Sequence, residues 1–555
     1  MRTLWFLGTI CFVTLIAYGS ADAAEISWKA SGKGGAVAAG GRDAVAAGVS
    51  ILEQGGNAAD AAVATLLALS ITDYGYFAIG SEIPFIIYDA SKREVKVLCG
   101  LGGAPLDPNA IEWFYKNGIP AEGSIKAAPV PGAVSLCLMA IKLYGTMTFE
   151  QVVAPSVALL DAGGKDWYKK LAITFRKLVE TEQKTPGTRA EKLQAARDRF
   201  YKGDIADELV AFYIKNGGFL RKVDLAAHVT RVEDPVKVQY RGYTVCKCDT
   251  WTQGPYLCQT LRLLEGFDLK KMGHLSADYI HALTEALKLG FADRDAYYGD
   301  PLFVDVPIKA LLSDQYTKLR RPLIDMTKSS TEVRPGDPIN MKPLKGTGSY
   351  LPDPGGTTTC VVTDRWGNMV AATPSGNPPY TICHELGIAH GNRLRSLTTT
   401  AGHPNRIEPG KRPRITLTPT IVLKDGKAVI AISVAGGDLQ DQTTLNCLLN
   451  LLEFGMMPED AVTAPRFSTG HHEDSFNPNP DRKRTLETLG GLTLNDQIDK
   501  EVRVELANRG HKVRATSEPI AYPVMLYVDP DTGMMHAAGD PRTGRNAAAL
   551  ENTLP

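Results

Sequence analysis

A threonine hydroxyl becomes a competent nucleophile when a base stands beside it. The run Gly355-Gly356-Thr357-Thr358-Thr359-Cys360-Val361-Val362 offers an arrangement in which one residue supplies both. Cleavage of the Gly356–Thr357 bond would leave Thr357 with a free α-amine next to its own hydroxyl. Such an amine has an ordinary pKa of about 7.7 to 8.0 and can accept the hydroxyl proton as attack begins. The chemistry would be acyl transfer: attack on an amide carbonyl, an acyl-enzyme, then release to water or an amine. On this run alone an ordinary strand start stays open, because Thr-rich strands after glycine are common in sheets.

Other reactive residue types are less suggestive. Of nine cysteines, Cys11 lies in the leading apolar segment. Cys246 and Cys248 share a face of an expected strand, as side chains two apart do, and Cys99, Cys137, Cys258, Cys360, Cys383 and Cys447 are scattered among apolar residues. Buried free thiols are expected, although export would permit disulfides. No Cys-x-x-Cys pair occurs, and His384-Glu385 with His390 misses the one-turn spacing of a helical zinc pair. His471 and His472 adjoin and face different ways. Neither a catalytic metal nor a cofactor is expected.

The elements that would position Thr357 change type at that residue. Before it, residues 42 to 70 are Ala-rich and periodic, as in a helix, and Glu82 to Leu98 alternates like paired strands turning at Ala90-Ser91-Lys92. Helical periodicity returns at Phe149 to Ala162, Asp166 to Thr181, Arg189 to Lys215, Gln259 to Glu265 and Ala277 to Ala296. From Ser329 to Gly356, five prolines and several glycines predict an exposed linker. After it come expected strands at Thr357 to Thr363, Met369 to Thr373, Pro419 to Lys424 and Ala428 to Val434, with helices at Thr443 to Phe454 and Gln497 to Arg509.

At 555 residues the chain exceeds the usual single-core limit of about 250 to 300, so two intertwined or adjacent parts are expected. Hydrophobic content of 44% and charged content of 22% are those of a globular protein. Lys+Arg and Asp+Glu each total 61, which disfavours nucleic acid and anionic membranes as partners. Residues 1–23 read as a signal peptide: a basic Arg2, an apolar Leu4 to Ala17, and small residues at Ala21-Asp22-Ala23. The apolar run is shorter than the span of about 20 residues that a membrane needs, so cleavage after Ala23 and a periplasmic or secreted location are expected.

Many separated motifs, from about Lys33 to Arg545, resemble the γ-glutamyltransferase family of N-terminal-nucleophile hydrolases. Ahead of Thr357 stand Gly55-Gly56-Asn57-Ala58-Ala59-Asp60, Pro129-Val130-Pro131-Gly132, Tyr144-Gly145-Thr146, Tyr240-Arg241-Gly242-Tyr243 and Phe291-Ala292-Asp293-Arg294. Behind it stand Asp364-Arg365-Trp366-Gly367-Asn368, Lys411-Arg412-Pro413, Gly436-Gly437, Ala464-Pro465-Arg466-Phe467 and Gly539-Asp540-Pro541-Arg542. The resemblance implies an α+β fold, a four-layer αββα sandwich. It also implies two chains after self-cleavage: a large fragment, 24–356, and a small fragment, 357–555, which stay together as a heterodimer.

By the same resemblance Thr357 cuts after Gly356 and then serves as nucleophile. Gly436 and Gly437 supply oxyanion-hole amides, and Ser375 and Asn377 stand beside the nucleophile. On sequence alone Ser-Gly-Asn reads as a turn, and the glycine pair as a strand end.

The substrate side departs from the family. Leu101 takes the place of the arginine that holds the glutamate α-carboxylate. The segment expected to be acidic reads Asn392-Arg393-Leu394-Arg395-Ser396, and Ile415-Thr416 stands for a serine pair. An ammonium beside Arg393 and Arg395 would be repelled. Arg393, Arg395 and Arg414 could instead fork onto a carboxylate or carbonyl, with Thr416 adding a hydroxyl; Arg412 is a less discriminating candidate. A solvated loop face is the alternative for all four arginines. The expected activity is an amide hydrolase or acyltransferase on a small molecule that is not a classical γ-glutamyl compound. Two alternatives remain, a true γ-glutamyltransferase or glutathione hydrolase with a rebuilt glutamate site, and an unprocessed binding protein.

Overall fold

Along the strand Gly35–Ala39 successive side chains enter different cores, as the period of two requires. Val37 and Ala39 join a core under helices, whereas Ala36 and Ala38 join a core between two sheets. In the computed structural model, residues 24–120, 123–344, 356–376, 381–476, 478 and 489–551 are described.

Each sheet has seven strands, and neighbours pair antiparallel throughout. The first runs Asn546–Leu550, Gly35–Ala39, Cys360–Asp364, Met369–Ala372, Ile83–Asp89, Glu94–Gly100, Arg231–Glu233. The second runs Lys29–Gly32, Met535–Gly539, Tyr522–Val528, Lys427–Ala435, Thr420–Lys424, Tyr243–Lys247, Val236–Tyr240. Helices including Ala58–Thr72 and Ala133–Tyr144 cover the outer face of the first sheet. Pro255–Leu264, Ala277–Tyr297 and Gln440–Leu452 cover that of the second. The result is the expected αββα sandwich, and both sheets mix strands from either side of Thr357.

Several boundaries differ from expectation for local reasons. Residues 42 to 70 form two helices, Arg42–Glu53 and Ala58–Thr72. Gly55 ends the first at a φ of +86°, and Asn57 starts the second. Its side chain accepts from the Ala59 and Asp60 amides while Asp60 accepts from the Asn57 amide, a reciprocal cap that overrides the periodicity. Residues 189 to 215 likewise split at Gly203 into Arg189–Lys202 and Asp204–Lys215. Regular strand pairing begins at Cys360 rather than Thr357, because Thr358 is turned aside, donating its hydroxyl to Asp73 Oδ2 at 2.6 Å.

The expectation of an exposed linker from Ser329 is corrected for its first part; residues 345–355 lie outside the described residues. Ser329, Pro335 and Gly336 are buried. The Ser329 amide donates to the Arg509 carbonyl (2.7 Å), and the Gly336 amide to Asp293 Oδ1 (2.8 Å). A directed polar chain reinforces this anchorage. His281 Nε2 lies 2.8 Å from the Asp325 carbonyl, which can only accept, so His281 donates there and accepts at Nδ1. His511 Nε2 therefore donates to it (2.8 Å), leaving His511 Nδ1 to accept from Ser329 Oγ (3.2 Å). Lys288 Nζ donates to Ser329 Oγ and pairs with Glu285 at 2.6 Å.

Candidate active site

Three strand ends of the first sheet place three side chains in a row. Thr357 bridges Ser375, and Ser375 in turn bridges Glu82, both antiparallel. Directly opposed residues project on the same face, so the two hydroxyls and the carboxylate line up across the sheet. Thr357 Oγ1 donates to Ser375 Oγ (3.2 Å), which donates to the Gly356 carbonyl, that of the peptide bond preceding Thr357. Arg393 enters from the short helix Arg393–Ser396, with Nη2 donating to Ser375 Oγ (2.7 Å) and Nε to Glu82 Oε1 (2.5 Å). A hydroxyl has one proton and two lone pairs, so Ser375 is saturated and its proton is aimed at the Gly356 oxygen. All four side chains are buried. Burial pushes the Glu82 carboxyl up, and Arg393 only partly offsets it.

The second sheet brings the glycine pair to the same end of the molecule. Thr373 Oγ1 and Ser433 Oγ lie 2.9 Å apart across the sheets, two residues before Ser375 and three before Gly436. Gly436 and Gly437 adopt φ of +144° and +58°, and a Cβ on Gly437 would stand 2.7 Å from the Phe476 ring. Phe476 also lies 5.2 Å beneath the Arg393 guanidinium, and its carbonyl accepts from Arg395 Nε (3.1 Å). The turn leads into the helix Gln440–Leu452, whose N-terminus favours developing negative charge. No hydrogen bond between the Gly436 or Gly437 amides and Thr357 is present among the described residues of the uncut chain.

A charge network fixes this turn from below. Arg294 donates to Asp438 Oδ1 (2.5 Å), Asp295 Oδ1 (2.8 Å) and the Glu473 carbonyl (2.9 Å), while Ser475 donates to Asp438 from both amide and hydroxyl. Burial alone would raise the Asp438 carboxyl, but Arg294, His472 and the Ser475 bonds outweigh it and hold it down at about 2.

Of the other residues singled out in the sequence, Asn377 lies outside the described residues. The solvated-face reading of the arginines is overturned, since Arg393, Arg395, Arg412 and Arg414 are all buried. Three of the charges are matched internally: Arg393 by Glu82, Arg414 by Asp295 at 3.2 Å, Arg412 by Asp300 at 2.8 Å. Thr416 is buried with its hydroxyl unpartnered. Leu101 packs between the sheets, one residue beyond Gly100, which pairs with Ile83 next to Glu82, and lines a cavity of about 280 Å³ with His228, Asp300 and Arg412. The eight described cysteines are free and buried, as expected. Sequence reasoning missed Glu82, Phe476, Asp438 and Ser475. For Glu82 a signal existed, a lone acid inside the apolar run Ile79 to Ile87; for Phe476 none did.

Two antiparallel sheets stacked between helical layers, with a buried hydroxyl row at one strand edge, define the class: an α+β sandwich of N-terminal-nucleophile hydrolase type. A family model described as gamma-glutamyltranspeptidase matches residues 44–190 and 166–550. The glutathione hydrolase proenzyme of Pseudomonas sp. (strain A14) is 32% identical over 493 residues, covering 80% of this chain and 84% of its own. Among solved structures, LmbA2991HD superposes with a TM-score of 0.84 at 31% identity over 94% of this chain and 99% of its own. The cephalosporin acylase from Bacillus halodurans gives 0.76 at 26% over 98% and 100%. The chain therefore belongs to the gamma-glutamyltranspeptidase family, as a divergent member, and is an enzyme of the amidohydrolase class. That membership sets aside the binding-protein alternative.

Proposed function

We propose that the chain cuts its own Gly356–Thr357 bond and that the freed Thr357 is the nucleophile of an amide hydrolase or acyltransferase whose acyl group lacks a free α-amino-acid head. The observation that carries this reading is the hydroxyl chain from Thr357 Oγ1 through Ser375 Oγ to the Gly356 oxygen. As Thr357 Oγ1 bonds to the Gly356 carbonyl carbon, its proton passes to Ser375 and the Ser375 proton to the developing oxyanion. The C–N bond then breaks with the nitrogen taking a proton, which leaves an ester. Water hydrolyses the ester, giving the Gly356 carboxyl and a free Thr357 amine. The related proenzyme from Pseudomonas supports such processing, and the two sheets, each built from strands of both segments, would hold fragments 24–356 and 357–555 together as a heterodimer.

In the cut enzyme the Thr357 amine takes the hydroxyl proton as Oγ1 attacks a substrate amide, and the Gly436 and Gly437 amides stabilise the oxyanion. The leaving amine departs with a proton, and water or another amine resolves the acyl ester. Against a γ-glutamyl head stand Leu101, which brings no charge, and Arg393 and Arg414, which are already paired. The expected localisation, periplasmic or secreted, rests on residues 1–23. A short-chain acyl p-nitroanilide is expected to give a burst of nitroaniline stoichiometric with Thr357. γ-Glutamyl-p-nitroanilide is expected to be poorer by at least about tenfold in kcat/KM, since a charged head left unpaired is costly. Preferred turnover of the γ-glutamyl compound would overturn the substrate reading.

A further inference from the structure

Buried polar atoms are nearly always hydrogen-bonded, so unpaired ones beside a nucleophile call for a partner from outside the chain, a water or a bound group. A cluster of such atoms lies beside Thr357. Glu82 Oε2, Arg393 Nη1 and both polar atoms of the neighbouring Asn392 side chain are fully buried without partners. Glu82 and Arg393 are joined by the 2.5 Å contact between Oε1 and Nε, so one residue pair keeps a free acceptor and a free donor. Its other bonds are spent on the catalytic row, because Arg393 Nη2 holds Ser375 Oγ.

The charges of the pair cancel, and that decides what it can read. A carboxylate drawn to Arg393 also meets Glu82, and an ammonium drawn to Glu82 meets Arg393. Attraction and repulsion over similar distances nearly cancel, which leaves the cost of desolvating the ligand's charge uncompensated. A neutral carboxamide suffers no such cost. Its carbonyl can accept from Arg393 Nη1, its N–H can donate to Glu82 Oε2, and Asn392 can supply one bond of either polarity.

We propose that Glu82 and Arg393 form a charge-neutral recognition pair that binds a carboxamide-type group on the acyl part of the substrate and discriminates against both carboxylate and ammonium at that point. This rests on the reading of Thr357 as the acyl-accepting nucleophile and adds the chemistry of the acyl group.

The test compares four p-nitroanilides of matched length on the self-cleaved enzyme: 4-carbamoylbutanoyl, glutaryl, 5-aminopentanoyl and pentanoyl. The carbamoyl donor is expected to lead the glutaryl and aminopentanoyl donors by at least about tenfold in kcat/KM, a difference in transition-state binding. Glu82→Gln leaves Arg393 unbalanced, so whatever the change in absolute rate, the carbamoyl-to-glutaryl ratio is expected to fall by about tenfold or to invert. A glutaryl preference in the native enzyme, or an unchanged ratio in the variant, overturns the proposal. Calorimetric titration with hexanamide, hexanoate and hexylammonium separates this from failure of turnover. If no anilide is cleaved, the nucleophile reading fails, while tighter binding of hexanamide still supports the pair and tighter binding of hexanoate overturns it.

Discussion

In the proposed self-cleavage Ser375 is the pivotal residue, because it would receive the Thr357 proton and give its own to the Gly356 oxygen, to which it is already hydrogen-bonded. Ser375→Ala is expected to slow cleavage by about 10²- to 10⁴-fold, the usual range for a lost proton-transfer group, as read by gel or mass spectrometry over time. Ser375→Thr keeps the hydroxyl and is expected to restore most of the rate; cleavage of the alanine variant at the native rate would contradict the relay. Thr357 stood out in the sequence by residue type and by a boundary in the pattern, whereas Ser375 was singled out only by the family resemblance, since Ser-Gly-Asn alone reads as a turn. The state of Arg393 was not legible, because its countercharge Glu82 lies 311 positions away in the chain. Two cations near an acyl site read as free forks until the fold supplies their partners.

Elements position the proposed oxyanion donors. Gly436 and Gly437 sit between the strand Lys427–Ala435 and the helix Gln440–Leu452, at φ values that exclude most other residues. Gly437→Ala places a Cβ 2.7 Å from the Phe476 ring and holds alanine in the left-handed region. A stability loss of about 1–2 kcal/mol is expected in urea unfolding, and kcat is expected to fall by about 10²- to 10³-fold if a donor shifts out of line. Unchanged kcat in a stably folded variant would remove the turn from the mechanism. Pattern placed the paired strands before and after residue 90 well, since alternation and a turn coincide there: Ile83–Asp89 meets Glu94–Gly100 as an antiparallel pair. It failed where polar residues are buried by partners. The first turn of Gln440–Leu452 looks like a loop in sequence, yet Asp441 is buried against Lys247 at 2.8 Å. Proline and glycine likewise suggested a free linker from Ser329, where the fold anchors the chain instead.

Across the whole molecule, segments on either side of Thr357 interleave in both sheets, and the His281–His511 clasp ties the helix Ala277–Tyr297 of one to a loop of the other. Burial, with Lys288 next, pushes the His511 imidazole down to about 2, and burial also lowers His281 despite its bond to Asp325. The unfolded chain binds these protons near pH 6.5 and the folded chain does not. Stability is therefore complete above about pH 6.5 and falls as pH drops below it, by up to about 1.4 kcal/mol per unit and imidazole. His228, His390 and His471, each held at about 3 chiefly by burial, add to the same slope. The urea midpoint is expected to drop between pH 7 and pH 5, and less steeply in His511→Asn; a flat profile would contradict a neutral clasp. The most direct measurement remains the intact mass and N-terminal sequence of the purified protein beside a Thr357→Ala control. Two native chains are expected, one starting at Thr357 and the other ending at Gly356, with a single uncut chain in the control. One uncut native chain, or a cut elsewhere, would contradict Thr357 as the nucleophile.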